Sequence, residues 1–301
     1  MDTIPEEKIL AIGSVLKNTN RPLKERFRAL FTLRNLGGPV SVKCIEQCFD
    51  DSSALLKHEL AYCLGQMGDQ AAIPVLTSVL KDTSQEPMVR HEAAEALGAI
   101  GSEESLDVLL KHLEDPVPEV AETCELAIER IKWHNNEHKD TERKSPYASV
   151  DPTPPAEERD VEMLEKVLLD EKASLFNRYK AMFALRNLQT AESACALSKG
   201  LFSKGSALFR HEVAFVLGQM QNDVSVPYLK KSLEDPSENE MVRHECAEAL
   251  GAIATEDCCT ILKNFLEDEK RVVKESCEIA LDMCDYENSP EFQYANTLLR
   301  V

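Results

Sequence analysis

Aromatic side chains are scarce in this chain, with one tryptophan, six tyrosines and ten phenylalanines among 301 residues. Strand-forming blocks of Val, Thr and Tyr are scarce too, which argues against the jelly-roll type of oxygenase. No apolar run is long enough to cross a bilayer. The N-terminal stretch MDTIPEEKILAIGSVLKN carries acidic residues where a secretory signal needs basic ones, so a soluble, cytoplasmic protein without a membrane partner is expected. Basic clusters are missing: 34 Lys and Arg stand against 53 Asp and Glu, a formal charge of −19. Such a balance speaks against nucleic acid as a partner and suits a basic protein or a cationic small group. A monomer is expected. The ten cysteines include no CxxC pair, and Cys63, Cys124, Cys246 and Cys277 fall inside helical patterns. They read as reduced thiols packed as small apolar residues, not as disulfides or zinc ligands. A GxSxG elbow, a phosphate-binding glycine loop and an HExxH zinc motif are all absent; HEAAE has Glu where a zinc protease needs its second His.

What the chain has instead is Ala, Leu, Glu and Lys, the composition of helix, and a sequence that repeats itself twice over. RFRALFTLRNL at Arg26–Leu36 returns as RYKAMFALRNL at Arg178–Leu188, an offset of 152 residues. KHELAYCLGQM at Lys57–Met67, MVRHEAAEALGAI at Met88–Ile100 and AETCELAIERI at Ala121–Ile131 all return 153 residues later. Each half is periodic in turn. Arg26, Lys57, Arg90 and Val120 open equivalent helices, as do Arg178, Arg210, Arg243 and Val273, at steps of 30 to 33 residues. Other helices lie between them, with Pro74 and Pro227 near a helix start, where a missing N–H does no harm. The unit is a helical hairpin, which cannot bury its apolar stripe alone and must stack on its neighbours.

The expected architecture is all-α, with HEAT-like hairpin repeats in two four-repeat lobes related by duplication and facing each other. The N-terminal lobe spans residues 1–133 and the C-terminal lobe 161–301. Between them, residues 134–160 form a Pro-rich linker (Pro146, Pro152, Pro154, Pro155) expected to be exposed and only partly ordered.

Four of the seven histidines are followed by Glu: His58-Glu59, His91-Glu92, His211-Glu212 and His244-Glu245. All sit at one place in the repeat, expected in the first turn of its second helix, and only in repeats two and three of each half. The first repeats carry Phe27 and Tyr179 at that place, and the fourth repeats Ala121 and Lys274. The repeat itself therefore does not demand His. Neighbouring helices in a stack lie about 8–10 Å apart, so His58 and His91 reach one point, and His211 and His244 another. Two His and a carboxylate is the ligand set of oxygen-activating non-haem iron, and two such sets facing each other would hold two ions. Each half has one Glu more than a triad needs, free to bridge the ions or to hold a substrate ammonium group. Glu95 and Glu248, four residues past His91 and His244 on the same helix face, are expected to orient those ligands from behind. Lys57, Arg90, Arg210 and Arg243, each preceding a His, are read as paired with repeat carboxylates. Gly65, Gly98, Gly218 and Gly251 are read as sites of close helix packing, with room for an approaching side chain as the other reading.

Taken together, the duplicated blocks, the four His-Glu pairs and the SVDPTPPAEERD segment resemble the deoxyhypusine hydroxylase family over nearly the whole chain. The resemblance implies an iron-containing monooxygenase with two iron ions. It would convert the deoxyhypusine side chain of translation initiation factor 5A to hypusine, using O2 and an external electron donor. It implies His58, His91 and Glu92 as ligands of one iron and His211, His244 and Glu245 as ligands of the other, with Glu59 and Glu212 beside the metals gripping the substrate amines. Two other uses of the same features are a metal-free scaffold for a basic partner and a two-metal hydrolase.

Overall fold

The structure is a computed structural model and describes residues 4–135 and 146–295. Sixteen α-helices and four short 3₁₀ turns occupy the described residues, which contain no strand. By packing, the chain divides into two units. One comprises residues through Glu137 together with those from Glu291 onward, and the other runs His138–Pro290.

In the first unit, α1 (Glu6–Lys17) pairs with α2 (Leu23–Leu36) and α3 (Gly38–Glu46) with α4 (Ala54–Met67). Then α5 (Ile73–Lys81) pairs with α6 (Pro87–Ile100) and α7 (Leu106–Lys111) with α8 (Pro118–Asn135). The second unit repeats the order: α9 (Val161–Leu168) with α10 (Leu175–Leu188), α11 (Ala191–Lys199) with α12 (Ala207–Met220), α13 (Val226–Glu234) with α14 (Glu240–Ile253), and α15 (Glu256–Lys263) with α16 (Arg271–Glu287). Within each unit the second helices of the hairpins pack side by side, α4 on α6 on α8 and α12 on α14 on α16.

Local sequence explains where these helices begin and end. Ser53 and Ser206 cap α4 and α12, accepting hydrogen bonds from the backbone N–H of Leu56 and Phe209. Pro87 opens α6, and Asn239 caps α14. At their C-termini α4 and α6 turn off through the left-handed residues Gly68 and Gly101. The duplicate places Gln221 and Ala254 there, both at positive φ, so this cap geometry persists without glycine. All ten cysteines are unbridged. Burial pushes the thiols of Cys124, Cys246 and Cys277 up to about 12, which leaves them protonated and inert as small core residues.

A ladder of buried cations joins one repeat to the next. In α2, α6, α10 and α14 an Arg Nε–H donates to the backbone carbonyl ten residues earlier: Arg26 to Leu16, Arg90 to Leu80, Arg178 to Leu168 and Arg243 to Leu233, at 2.8–3.0 Å. That carbonyl belongs to the end of the preceding helix, whose last C=O groups have no intrahelical donor. The same guanidinium reaches 25 residues forward, Arg26 to Asp51, Arg90 to Asp115 and Arg243 to Asp268, while Arg178 meets the Ser203 hydroxyl instead. In α4 and α12 the matching cations grip the next loop, Lys57 to Glu86 at 2.6 Å and Arg210 to Glu238 at 2.7 Å. The cations that precede each His are thus paired with repeat carboxylates.

Part of the segment read as an exposed linker packs against α10, while residues 157–160 are exposed. Asp151 accepts two hydrogen bonds from Arg186, a fully buried arginine whose guanidinium lies 4.8 Å from the Tyr147 ring centre. Thr153 is buried, and the Ala156 N–H donates to the Lys180 carbonyl. A buried guanidinium must be paired, and this segment supplies the carboxylate. Residues 136–145 of the expected linker lie outside the described residues. The chain's end also departs from the expected 161–301 lobe, because the described residues Glu291–Ala295 group with the first unit. Glu291 pairs with Arg28 at 2.9 Å, and Arg28 lies over the Tyr294 ring. Among the described residues, no helix is long and apolar enough to cross a membrane.

The ladder makes the fold acid-sensitive. Burial works against ionised Asp115 and Asp268, but hydrogen bonds from Arg90 and Arg243 outweigh it and hold both carboxyls below the usual range. Their contribution to stability is fully present above the unfolded carboxylate value, roughly 4, and is lost as pH falls through the folded values. Urea midpoints measured from pH 6 down to pH 3 are expected to fall, and to fall less steeply in Asp115→Asn with Asp268→Asn than in the parent.

Candidate metal centre

Each of the four histidines is the fifth residue of its helix: His58 in α4, His91 in α6, His211 in α12 and His244 in α14. They therefore stand at the start of the second turn, not in the first turn as expected. The reason is that the capping residues start each helix a turn ahead of the Lys or Arg that precedes the His. All eight residues of the four pairs are buried, His91 and His244 completely.

Close helix packing brings the pairs together. A Cβ on Gly65 would lie 2.8 Å from Ala96 Cα, and one on Gly218 3.0 Å from Ala249 Cα. Real Cβ atoms essentially never sit as close as the first of these and rarely as close as the second, so α4 approaches α6, and α12 approaches α14, where Gly leaves room. Gly98 against Ala127 and Gly251 against Ala280, both at 2.7 Å, do the same for α8 and α16.

In the first unit the His58 and His91 ring centres are 5.4 Å apart. Glu92 Oε2 stands 3.3 Å from His58 Nε2. One ligand atom from each of His58, His91 and Glu92 lies within 4.8 Å of the others. In the second unit the His211 and His244 ring centres are 5.3 Å apart, and Glu245 Oε2 stands 3.3 Å from His211 Nε2. His244, Glu245 and Glu248 also offer ligand atoms within 4.8 Å of one another. In both units the carboxylate of the second pair thus faces the imidazole of the first.

The remaining carboxylates differ between the units. Glu59 Oε1 is 3.4 Å from His58 Nδ1 on the same helix. Its duplicate Glu212 is buried more deeply. Glu248 Oε1 lies 3.6 Å from His244 Nδ1, on the side of the ring away from Nε2. Burial disfavours a charged His58, yet the Glu92 carboxylate and then Glu59 outweigh it and hold this imidazole well above its ordinary pKa.

Two groups near the sets escape notice in the sequence. Tyr62 lies one turn beyond His58, with the Arg34 guanidinium 5.8 Å from its ring centre, and burial pushes its phenol up, so it stays protonated. Its duplicate is Phe215. The buried Ser276 hydroxyl donates to Glu248 at 3.3 Å. The signal for it was present: the residue before Cys124 and before Cys277 is a hydroxyl amino acid in both halves.

The stacked hairpins define the class. The model for HEAT repeats matches residues 41–129 and 194–282, the stretches that carry all four His-Glu pairs. The chain is a HEAT-repeat protein with two clusters of His and carboxylate groups suited to metal. It is 62% identical over 299 residues to deoxyhypusine hydroxylase of Drosophila melanogaster, covering 99% of this chain and 98% of that protein. To the Danio rerio protein of that name it is 60% identical, covering 98% of each. The solved structure of human deoxyhypusine hydroxylase in complex with glycerol superimposes with a TM-score of 0.91 at 59% identity, over 93% of this chain and 97% of that one. The chain belongs to the deoxyhypusine hydroxylase family, and with it to the monooxygenases.

The close helix approach carries a direct test. Gly65→Val places its side chain against the α6 backbone and is expected to cost about 1–3 kcal/mol of stability, the usual range for overpacking. Val at the exposed Ser78 of α5 is expected to cost less than about 1 kcal/mol by helix propensity alone. Urea unfolding of the two variants makes the comparison.

Proposed function

We propose that the chain is a di-iron monooxygenase that hydroxylates the deoxyhypusine side chain of translation initiation factor 5A. The observation that carries this is the pairing of two buried imidazoles with a buried carboxylate in each unit, at matching places in a duplicated sequence. Buried charges persist in proteins when paired or when they coordinate a metal. The donors are nitrogen and carboxylate oxygen with no thiolate, a set that fits ferrous iron. His58, His91 and Glu92 would hold one ion, and His211, His244 and Glu245 the other. Iron bound there would supply the activation of O2 that insertion into an unactivated C–H bond requires. One oxygen atom enters the C–H bond, and the other leaves as water with two electrons and two protons from an external reductant.

The chain's own residues do the rest. Glu59 and Glu212 hold the substrate's ammonium groups by charge-assisted hydrogen bonds. Glu95 and Glu248 stand one turn behind His91 and His244 and orient those rings. The formal charge of −19 suits a polycationic side chain on approach. A metal-free scaffold would have no use for eight buried His and Glu residues in two clusters.

Elemental analysis of the purified protein is expected to find about two irons per chain, in keeping with one ion for each ligand set. The variant carrying His58→Ala and His244→Ala is expected to lose both, and with them O2-dependent hydroxylation of the deoxyhypusine-bearing factor. Zinc in place of iron, with activity independent of O2, would instead support a two-metal hydrolase. Glu59→Gln and Glu212→Gln are expected to raise the KM for that substrate about tenfold or more, the loss of one charge-assisted contact, while keeping iron content near the parent's. Loss of iron in step with activity would make these residues metal ligands.

A further inference from the structure

Two extended segments of this chain dock on the second helix of a first repeat, and each does so through an acid and a tyrosine. In the second unit, Asp151 meets Arg186 of α10 as a fork: Arg186 Nη1 donates to Oδ1 at 2.9 Å and Nη2 to Oδ2 at 2.6 Å. The Tyr147 ring centre lies 4.8 Å from the same guanidinium. In the first unit, Arg28 of α2 donates to Glu291 at 2.9 Å and stands 4.6 Å from the Tyr294 ring centre. An arginine fork on a carboxylate is strong and geometrically specific, and a ring on the flat face of the guanidinium adds to it.

The residue of the first unit that duplicates Arg186 is Arg34, in the last turn of α2. It is half-buried. Its guanidinium lies 5.8 Å from the ring centre of Tyr62, which sits on α4 one turn beyond His58. Among the described residues Arg34 makes no hydrogen bond or ion pair. By contrast Arg26, Arg90, Arg178, Arg186, Arg210 and Arg243 all donate to acceptors. A half-buried guanidinium has given up part of its water, and a charge in that state is stabilised by a carboxylate that pairs with it. The duplicate shows what such a carboxylate looks like: an Asp on an extended segment.

We propose that Arg34 is a docking point for the protein substrate, its guanidinium taking an Asp or Glu side chain of that protein as Arg186 takes Asp151. This inference rests on the hydroxylase reading above and deepens it. The chain as a whole, at a formal charge of −19, attracts a cationic group and repels an acidic one. One open guanidinium near the first ligand set therefore fixes orientation. The cationic side chain goes to the carboxylates, and an acidic residue elsewhere on the same partner goes to Arg34. Complementary charges of this kind set register more than they add affinity.

The test measures binding of the deoxyhypusine-bearing factor to the iron-loaded, full-length protein by calorimetry without O2, so that no turnover intervenes. Arg34→Gln is expected to raise the Kd about tenfold, the scale of one charge-assisted contact. Arg34→Lys should fall between the two, since an ammonium keeps the charge and loses the fork. Lys43→Gln removes the same charge from an exposed site on α3 and should change the Kd less than about twofold. A short deoxyhypusine peptide without acidic residues should bind the parent and Arg34→Gln alike. Iron content and melting temperature of Arg34→Gln should match the parent's. The inference is overturned if Arg34→Gln binds the factor as the parent does, or if Lys43→Gln weakens it as much. It is overturned equally if the acid-free peptide loses as much affinity as the factor, because Arg34 would then act through the amine-binding carboxylates, or if Arg34→Gln loses iron or melts lower in proportion to its loss of binding. A parent that does not bind the factor at all would overturn the hydroxylase reading and this inference together, whereas a parent that binds it, with Arg34→Gln unchanged, overturns this inference alone.

Discussion

The cation one position before each histidine, paired with a carboxylate of the next loop, is the contact on which the rest depends. Arg90 ties the end of α5 to the loop that precedes α8, and Arg243 does the same for α13 and α16. A guanidinium satisfies a helix-terminal carbonyl and a carboxylate in one planar fork, so three consecutive elements are referenced to one side chain. Removing one partner of such a buried pair leaves a charge with nothing to answer it, which typically costs 3–5 kcal/mol. The residue that follows is the His. The ligand thus inherits its place from the contact that holds the stack together, and little flexible structure intervenes between fold and site.

Glycine supplies the second constraint. Seven residues past each His, on the same helix, Gly65, Gly98, Gly218 and Gly251 remove the side chains that would keep the next helix away. Gly in a helix interior costs roughly 0.5–1 kcal/mol relative to Ala. Here that cost is offset by packing between backbones, and the packing sets the separation of the rings. Imidazoles 5.3 and 5.4 Å apart, one from each of two helices, follow from it. The site is therefore a property of the helix interface, with each helix contributing one imidazole and one carboxylate at a fixed register.

Much of this was legible in the residues. The duplicated blocks state the hairpin repeat and its register, because a solenoid's structure is as periodic as its sequence. Phe27 and Tyr179 at the His position of the first repeats mark the His-Glu pairs as an addition to the repeat. Other features were less legible. Residues 146–156 look like a linker because proline is frequent and apolar residues are few, yet Asp151 answers Arg186, a contact 35 residues away in sequence. Glu291 likewise finds Arg28 across 263 residues. Proline count predicts the absence of helix and says nothing about burial.

The sequence by itself determined the all-helical repeat, the number and register of the His-Glu pairs, and the closeness of the helices that carry them. Each follows from local propensity or from a period, which neighbouring residues encode. Only the tertiary structure decided which atoms meet. It placed Glu92 against His58 and Glu245 against His211 across helices. It also sent the Ser276 proton to Glu248 while its duplicate Thr123 turned back on its own helix. The direction of a hydroxyl or a carboxylate depends on rotamer and on what an adjacent helix presents, and no repeat pattern records either.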